Sequence, residues 1–228
     1  MKEQITDVFF DLDHTLWDFE KNSAITFQNI LKECKIDIAL NAFLAVYVPL
    51  NFSYWKLFRE EKISKKELRY MRLRKTFDAL SYTINDDQIN DLSSKYIEQL
   101  SDQSFVFENT NTILEYLRQK YRLHIITNGF EEVQEKKMMN ANIHKYFTHV
   151  INSEMVGVKK PNPLIFEYAL NKAKVKADHA IMIGDNLEAD IMGAKGVGMH
   201  ALHFNSNDDE LHEHSIIINN LIEIKEYL

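Results

Sequence analysis

The stretch Asp7–Phe19, DVFFDLDHTLWDF, decides the fold of this chain. Val8, Phe9 and Phe10 form an uncharged apolar run, which is typical of a central strand buried on both faces. Asp11 follows directly, and a second carboxylate comes two residues later. Because α/β proteins bind ligands at the carboxyl ends of parallel strands, the stretch predicts a functional site where this strand ends.

The two carboxylates, Asp11 and Asp13, suit nucleophilic chemistry. A carboxylate nucleophile needs a second carboxyl nearby that delivers a proton and then removes one. Asp is also a common residue at the N-cap of a helix, so an Asp-x-Asp pair alone is equally typical of a capped turn. The residues at the other strand ends distinguish between a catalytic pair and a capped turn.

The composition indicates a soluble globular protein without a nucleic-acid polymer as partner. The 228 residues are 45% hydrophobic and 27% charged, and the net charge of −7 disfavours a broad basic surface. Cys34 is the single cysteine, which excludes an intramolecular disulfide and favours a reducing compartment. The charged first residues do not resemble a signal peptide, and no apolar run is long enough to span a bilayer. We expect a cytoplasmic protein with no membrane partner, as a monomer or homodimer.

Residues from Glu20 to Gln103 contain no glycine and a single proline, Pro49, and their apolar residues recur at helical spacing. We therefore predict an all-helical insertion, in which the second helix becomes irregular after Pro49. Ser64 and Glu67 indicate a capping box that opens a third helix. Insertion of four helices between two halves of a sheet favours a lid over a linker.

A second predicted strand ends in Thr127, Asn128 and Gly129. A hydroxyl and an amide at this position can bind phosphate oxygens, and a glycine lets the backbone come close to a ligand. Thr and Asn at strand ends are also frequent turn and cap residues, so this signal alone is weak.

Lys160 lies in the segment GVKKPNPLIF, Gly157–Phe166. Pro161 and Pro163 hold the backbone extended ahead of a helix and so fix the direction of the lysine. A lysine ammonium can keep a nucleophilic carboxylate ionised and offset phosphate charge. The alternative is one more solvated lysine, but the two prolines favour a functional role.

A further apolar strand, Ala180–Gly184, ends at Asp185, and Asp190 follows about one helical turn later. Mg²⁺ prefers carboxylate oxygens and water, so Asp185 beside Asp11 predicts a magnesium site. Asp190 is expected to orient a metal-bound water or to pair with Lys160. Three histidines near the C-terminus have no partner at fixed spacing, and we expect them on the surface: His203, His212 and His214.

Four segments in register resemble the motifs of the haloacid dehalogenase-like hydrolase superfamily: DLDHT, ITNG, KKPNP followed by IF, and GDN followed by Asp190. The resemblance implies that Asp11 is the nucleophile that forms an aspartyl-phosphate and that Asp13 is the general acid and base. It also implies an α/β, Rossmann-like three-layer parallel sheet as core, residues 1–16 and 104–228, with residues 17–103 as an inserted all-helical C1 cap domain.

The same resemblance implies roles for the remaining strand-end residues. Thr127 and Asn128 would bind phosphate through a hydroxyl and a backbone amide, with Gly129 beside them. Lys160 would balance charge at the nucleophile. The implied Mg²⁺ ligands are the carboxylates of Asp11 and Asp185, the backbone carbonyl of Asp13, and Asp190 directly or through water.

Finer features resemble the pyrimidine 5′-nucleotidase branch, namely LWDFEKN, NGF, SEMVGVKKPNPLIFEYAL and the cap residues Tyr47, Asn51, Trp55 and Arg72. They imply Mg²⁺-dependent hydrolysis of a small phosphorylated metabolite, a pyrimidine nucleoside monophosphate. A sugar-phosphate or phosphoglycolate phosphatase is the nearest alternative, followed by a phosphomutase.

Two other interpretations share part of this pattern. Haloacid dehalogenation also uses an aspartate nucleophile, but it does not need the acid at Asp13. A phospho-receiver module combines an acceptor Asp with acidic ligands, Thr and Lys, and it keeps its acyl-phosphate. The inserted helices and Asp13 favour turnover over a receiver.

Overall fold

A computed structural model describes residues 4–228 of the chain, which divides into two compact units. The first contains the described residues up to Phe19 together with Ser104–Leu228, and the second is Glu20–Gln103. The first segment runs beyond the predicted boundary because Trp17 still takes part in β-bridges within the first unit. The role of the second unit as a cap domain remains a prediction.

The first unit contains a six-stranded sheet in which every neighbouring pair is parallel. The strands are β1 (Asp7–Phe10), β2 (Arg122–Thr127), β3 (Phe147–Asn152), β4 (Ala180–Gly184), β5 (His200–Phe204) and β6 (Ile216–Ile218). Their order across the sheet is β3-β2-β1-β4-β5-β6. The predicted Rossmann-like α/β class is confirmed.

The two central strands of the sheet are buried on both faces. Every residue of β1 and β4 is buried, and successive side chains of a strand point to opposite faces. On one face, Phe9 belongs to a core with Ile126, Ile151, Met182 and Phe166. The helices of this unit are α5 (Thr110–Leu117), α6 (Glu131–Asn140), α7 (Ser153–Val156), α8 (Pro163–Ala173), α9 (Gly193–Gly196) and α10 (Ile224–Tyr227).

The topology brings three chain segments to one edge of the sheet. The strand order runs outward in opposite directions from β1 and β4, so these adjacent strands flank the point where the order reverses. In parallel sheets, such a point opens a crevice beyond the carboxyl ends of the strands. Asp11 follows β1, Asn128 follows β2 and Asp185 follows β4.

The second unit contains four helices, the first of which begins one residue before it: α1 (Phe19–Glu33), α2 (Leu40–Arg59), α3 (Lys65–Ala79) and α4 (Asp86–Leu100). The predicted capping box of Ser64 and Glu67 is confirmed. The predicted irregularity after Pro49 is wrong, because α2 continues unbroken through it. Buried Phe43, Tyr47 and, beyond the proline, Phe58 keep both halves of α2 packed.

The core of the second unit is aromatic. Phe27 lies 4.5 to 4.7 Å, between ring centroids, from Phe43, Tyr47 and Tyr96. No helix within residues 4–228 combines the length and apolar character needed to cross a bilayer.

Candidate active site

Lys160 lies between two carboxylates at the switch point of the sheet, the place beside β1 and β4 where the strand order reverses. Its Nζ lies 2.8 Å from Asp11 Oδ1 and 2.6 Å from Asp190 Oδ1, and it donates to the carbonyl of Ile126 at 2.7 Å. The side chain of Lys160 is 2% exposed. Although burial alone lowers the pKa of Lys160, the two carboxylates raise it above its ordinary value. The ammonium is therefore a fixed positive charge beside Asp11.

Asn128 holds the backbone of Lys160 in place. Its amide Nδ2 donates to the carbonyl of Lys160 at 3.0 Å, and its Oδ1 accepts from the backbone N–H of Lys160 at 2.8 Å. This reciprocal pair ties the end of β2 to the segment that carries the lysine. The side chain of Asn128 thus positions Lys160, a contact that the sequence did not predict.

Asp190 reaches the site because Gly184 leaves room for it. A Cβ added to Gly184 would lie 2.4 Å from Cγ of Asp190. Asp190 lies in a π-helical turn, Leu187–Met192, and its Oδ2 accepts from the backbone N–H of Asn186 at 3.0 Å. Its other oxygen faces Lys160, so the predicted pairing of Asp190 with Lys160 is observed.

Three carboxyls converge next to this ammonium. Carboxylate oxygens of Asp11, Asp185 and Asp190 lie within 4.8 Å of one another. Burial raises the pKa of Asp11 well above its usual range; Lys160 opposes this rise, and the other two carboxylates add to it. Burial, with Asp190 nearby, raises the pKa of Asp185 to about 8. A divalent cation would offset this excess of negative charge, and carboxylate oxygens are the donors that Mg²⁺ prefers. The residues present therefore fit Mg²⁺.

Asp185 is held from several sides. Thr15 Oγ1 donates to its Oδ1 at 3.1 Å, and Asn207 Nδ2 donates to its Oδ2 at 3.3 Å. His203 Nε2 lies 2.6 Å from its backbone carbonyl. The prediction of a surface position is wrong for His203, which is 1% exposed, because β5 runs beside β4 and turns this residue toward the interior.

Asp13 has partners that the sequence interpretation missed. Its Oδ1 lies 2.8 Å from Lys137 Nζ, and its Oδ2 accepts from Gln134 Nε2 at 3.0 Å. Lys137 is almost fully buried, and its Nζ lies 4.4 Å from the centroid of the Trp17 ring. The carboxylate of Asp13 is not one of the clustered metal-binding groups, and the implied contact through its backbone carbonyl remains a prediction.

Gln134 also joins Asp13 to the end of β2. Its Nε2 donates to Thr127 Oγ1 at 2.8 Å, and that same oxygen accepts from the backbone N–H of Gly129 at 3.0 Å. A Cβ on Gly129 would lie 2.1 Å from Gln134 Nε2, so the glycine makes room for this contact. Gln134 and Lys137 lie three residues apart and share one face of α6. That spacing, directly after a strand-end motif, is the signal that would have identified them.

Comparisons with known proteins identify the family of this chain. The sequence model of the haloacid dehalogenase-like hydrolase family matches residues 8–204. The chain is 30% identical over 207 residues to pyrimidine 5′-nucleotidase PynA of Streptococcus pneumoniae, which covers 90% of this chain and 86% of that protein. It is 31% identical over 235 residues to a glyceraldehyde 3-phosphate phosphatase of Methanothermobacter thermautotrophicus. This match covers 97% of the present chain and 98% of that protein.

The fold is similar to that of a solved hydrolase, YfnB of Bacillus subtilis bound to magnesium. The TM-score is 0.89 at 24% identity, over 98% of both chains. The family model covers most of the chain, and both relatives are at least 30% identical to it over 86% and 98% of their own lengths. This chain therefore belongs to the haloacid dehalogenase-like hydrolase family.

Proposed function

We propose that this hydrolase is a Mg²⁺-dependent phosphomonoesterase that works through an aspartyl-phosphate on Asp11, and that it is a 5′-nucleotidase for pyrimidine nucleoside monophosphates. The observation that carries the proposal is the convergence of Asp11, Lys160 and Asp185 at the switch point of the sheet. An oxygen nucleophile, a buried cation and an acidic cluster are the groups that phosphoryl transfer needs in one place.

In the first step, a carboxylate oxygen of Asp11 attacks phosphorus and the ester P–O bond breaks. Asp13 gives its proton to the leaving alkoxide. Lys160 donates to Oδ1 of Asp11 and holds the carboxylate in one orientation. The product of this step is an aspartyl-phosphate together with the free alcohol.

In the second step, Asp13 takes a proton from a water molecule, whose oxygen attacks the same phosphorus. The acyl-phosphate bond breaks, which releases inorganic phosphate and regenerates the carboxylate of Asp11. Gln134 and Lys137 hold Asp13 in place for both proton transfers.

Thr127 is suited to bind a phosphate oxygen. Its hydroxyl oxygen already accepts hydrogen bonds from Gly129 and Gln134. A hydroxyl has two lone pairs and one proton, so Thr127 has its proton left to donate. Mg²⁺ held by Asp11 and Asp185, with Asp190 nearby, would neutralise charge on the oxygens of the transferring phosphoryl group.

Support for the nucleotide as substrate comes from the motif resemblance and from the likeness to the pyrimidine 5′-nucleotidase of Streptococcus pneumoniae. A second candidate substrate is a small sugar phosphate, because the chain is equally similar to a glyceraldehyde 3-phosphate phosphatase along almost its full length. We propose that the helical unit acts as the cap that decides between these substrates.

The test is phosphate release by the purified protein from UMP, dUMP, dTMP, GMP, phosphoglycolate and glyceraldehyde 3-phosphate, each with Mg²⁺ and with EDTA. We expect Mg²⁺-dependent release that is fastest with the pyrimidine monophosphates. The Asp11→Asn variant, which removes the nucleophile at nearly constant volume, is the control and should release no phosphate.

Preference for glyceraldehyde 3-phosphate or phosphoglycolate would contradict the nucleotidase proposal and leave the chemistry intact. Appreciable turnover by purified Asp11→Asn would contradict the aspartyl-phosphate mechanism.

A further inference from the structure

A chain of histidines links the surface of the first unit to Asp185. His203 Nε2 lies 2.6 Å from the backbone carbonyl of Asp185, and His203 Nδ1 lies 2.7 Å from His212 Nε2. The backbone N–H of His214 donates to His212 Nδ1 at 3.2 Å. His203 is buried, whereas His214 is exposed. The chain therefore runs inward from the segment that connects β5 to β6.

The two ends of this chain fix where each proton lies. A backbone carbonyl only accepts, so His203 Nε2 carries hydrogen. A backbone N–H only donates, so His212 Nδ1 is unprotonated, and His212 Nε2 is left to donate to His203 Nδ1. Each ring is then a neutral imidazole with its proton on Nε2. Burial lowers the pKa of His212, and the neighbouring His203 and His214 lower it further, in agreement with a neutral ring.

The geometry differs from that of a metal site built from the histidines. A nitrogen-to-nitrogen distance of 2.7 Å is that of a hydrogen bond. Within residues 4–228, the set of three or more ligand side chains close enough to share an ion is the acidic cluster of Asp11, Asp185 and Asp190. The histidines therefore act on Asp185 through hydrogen bonds.

The same segment also orients the carboxylate of Asp185. Asn207 donates to one carboxylate oxygen, and Thr15, in the turn that follows β1, donates to the other. Asn205 and Asp209 exchange two hydrogen bonds across this segment, and Lys195 of α9 donates to the carbonyl of His214. The segment is thus tied down at both ends while it contacts Asp185.

We propose that His203, supported by His212, is a positioning residue that fixes the backbone of Asp185 so that its carboxylate faces the cation. This inference rests on the proposed function, in which Asp185 holds Mg²⁺. Groups that orient a metal ligand typically change metal affinity by about 10-fold to 100-fold when they are removed.

The first measurement is the tautomer of each ring by long-range ¹⁵N–¹H NMR of the histidine side chains. We expect neutral rings protonated at Nε2 for both His203 and His212. A neutral His203 ring with its proton on Nδ1 would overturn the proposal, because Nε2 would then carry no hydrogen to donate to the carbonyl of Asp185.

The second measurement is Mg²⁺ affinity by calorimetry without substrate. We expect His203→Phe to weaken binding about 10-fold. His203→Gln, whose amide can still donate, should recover most of the affinity. His200→Gln changes a histidine on the same strand that is not one of the three hydrogen-bonded histidines, and this variant should bind Mg²⁺ like the wild type. The kcat at saturating Mg²⁺ should be unchanged in His200→Gln.

His212→Ala provides an independent test if the buried Phe variant does not fold. It should weaken Mg²⁺ binding by a smaller factor and give a mixture of tautomers at His203. Wild-type affinity in His203→Phe or, if that variant does not fold, in His212→Ala would overturn this inference alone. A wild-type protein that binds no Mg²⁺ would overturn the proposed function and this inference with it.

Discussion

At the scale of single residues, two aspartates two positions apart have different surroundings. Asp11 faces the ammonium of Lys160 and the acidic cluster. Asp13 is held by Lys137 and Gln134 from α6. These separate sets of partners suit separate tasks, a nucleophile at Asp11 and a proton-transfer group at Asp13.

Asp13→Asn should separate the two halves of the reaction. The variant keeps the nucleophile but has no proton-transfer group, so steady-state hydrolysis should fall by about 10²-fold to 10⁴-fold. The Oε1 of Gln134 has no hydrogen-bond partner among residues 4–228. If the Gln134 amide rotates, this oxygen can accept a hydrogen bond from the amide of the new Asn side chain. With an aryl phosphate, whose leaving group needs no proton, we expect a burst of alcohol and a trapped phospho-enzyme.

Rapid quenching and mass spectrometry of the intact protein measure this burst. Asp11→Asn is the control and should give neither a burst nor a phosphorylated protein. Unchanged hydrolysis in Asp13→Asn would show that another group transfers the proton.

A buried carboxylate at the opposite end of β1 predicts pH-dependent stability. Burial alone raises the pKa of Asp7, but hydrogen bonds from His124, Thr6 and Arg122 lower it below its ordinary value. A lowered folded-state pKa means that the contribution to stability is complete above the unfolded-state value of about 4. It is lost as the pH falls through the folded-state value.

We therefore expect Asp7→Asn to lower the free energy of unfolding by about 2 kcal/mol at pH 7. The difference between the variant and the wild type should shrink as the pH falls below about 4. Urea unfolding of both proteins at several pH values measures the difference. A difference that stays constant down to pH 3 would contradict this account of Asp7.

At the scale of elements, α3 begins with a reciprocal pair of hydrogen bonds. Ser64 Oγ accepts from the backbone N–H of Glu67 at 3.2 Å, and Glu67 Oε2 accepts from the backbone N–H of Ser64 at 2.8 Å. Ser64→Ala should cost about 1 kcal/mol. Amides in the first turn of α3 should then exchange with solvent about fivefold faster.

Hydrogen exchange resolved along α3 measures this change. Ser94→Ala is the matched control, because Ser94 lies inside α4 and its hydroxyl only donates to the carbonyl of Asn90. Equal exchange in both variants would mean that the cap of α3 does not limit its fraying.

Elements with a strong local signal were predicted correctly. Continuous apolar runs identified β1 and β4, and polar residues follow both directly. The proximity of Asp11 and Asp185 follows because parallel strands end at one edge of the sheet. The course of α2 through Pro49 was not predictable, because packing on both sides of the proline outweighs its local effect.

Contacts made by helix faces and by the segment after β5 could not be predicted in the same way. Lys137 reaches Asp13 only because α6 is oriented with the face that carries Lys137 toward Asp13. His203 reaches Asp185 only because β5 lies next to β4. Both contacts depend on tertiary packing. The spacing of Gln134 and Lys137 indicates one shared face of α6, but no local pattern fixes the direction in which that face points.

At the scale of the whole molecule, the chain leaves the first unit and returns to it at neighbouring points. Trp17 and Val106 form an antiparallel bridge. The backbone N–H of Asp18 donates to the carbonyl of Phe105 at 3.2 Å, and that of Phe107 donates to the carbonyl of Leu16 at 3.0 Å. The helical unit is therefore inserted at a site that a short turn can also close.

A protein in which Glu20–Gln103 is replaced by Asn-Gly should accordingly fold as the first unit alone. The new connection joins Phe19 to Ser104 just beyond the paired residues, where a short hairpin turn fits. We expect cooperative thermal unfolding, α/β circular dichroism and Mg²⁺ binding. If the helical unit selects the substrate, hydrolysis of UMP should fall far more than hydrolysis of an aryl phosphate.

The control is the same shortened protein with Asp11→Asn, which should bind Mg²⁺ more weakly and hydrolyse neither substrate. Loss of cooperative unfolding in the shortened protein would show that the first unit needs the helices to fold. Equal losses toward UMP and the aryl phosphate, in a folded protein that still binds Mg²⁺, would instead mean that the helices support the chemistry itself. In that case the choice of substrate has to be sought among the loops that follow β1, β2 and β4.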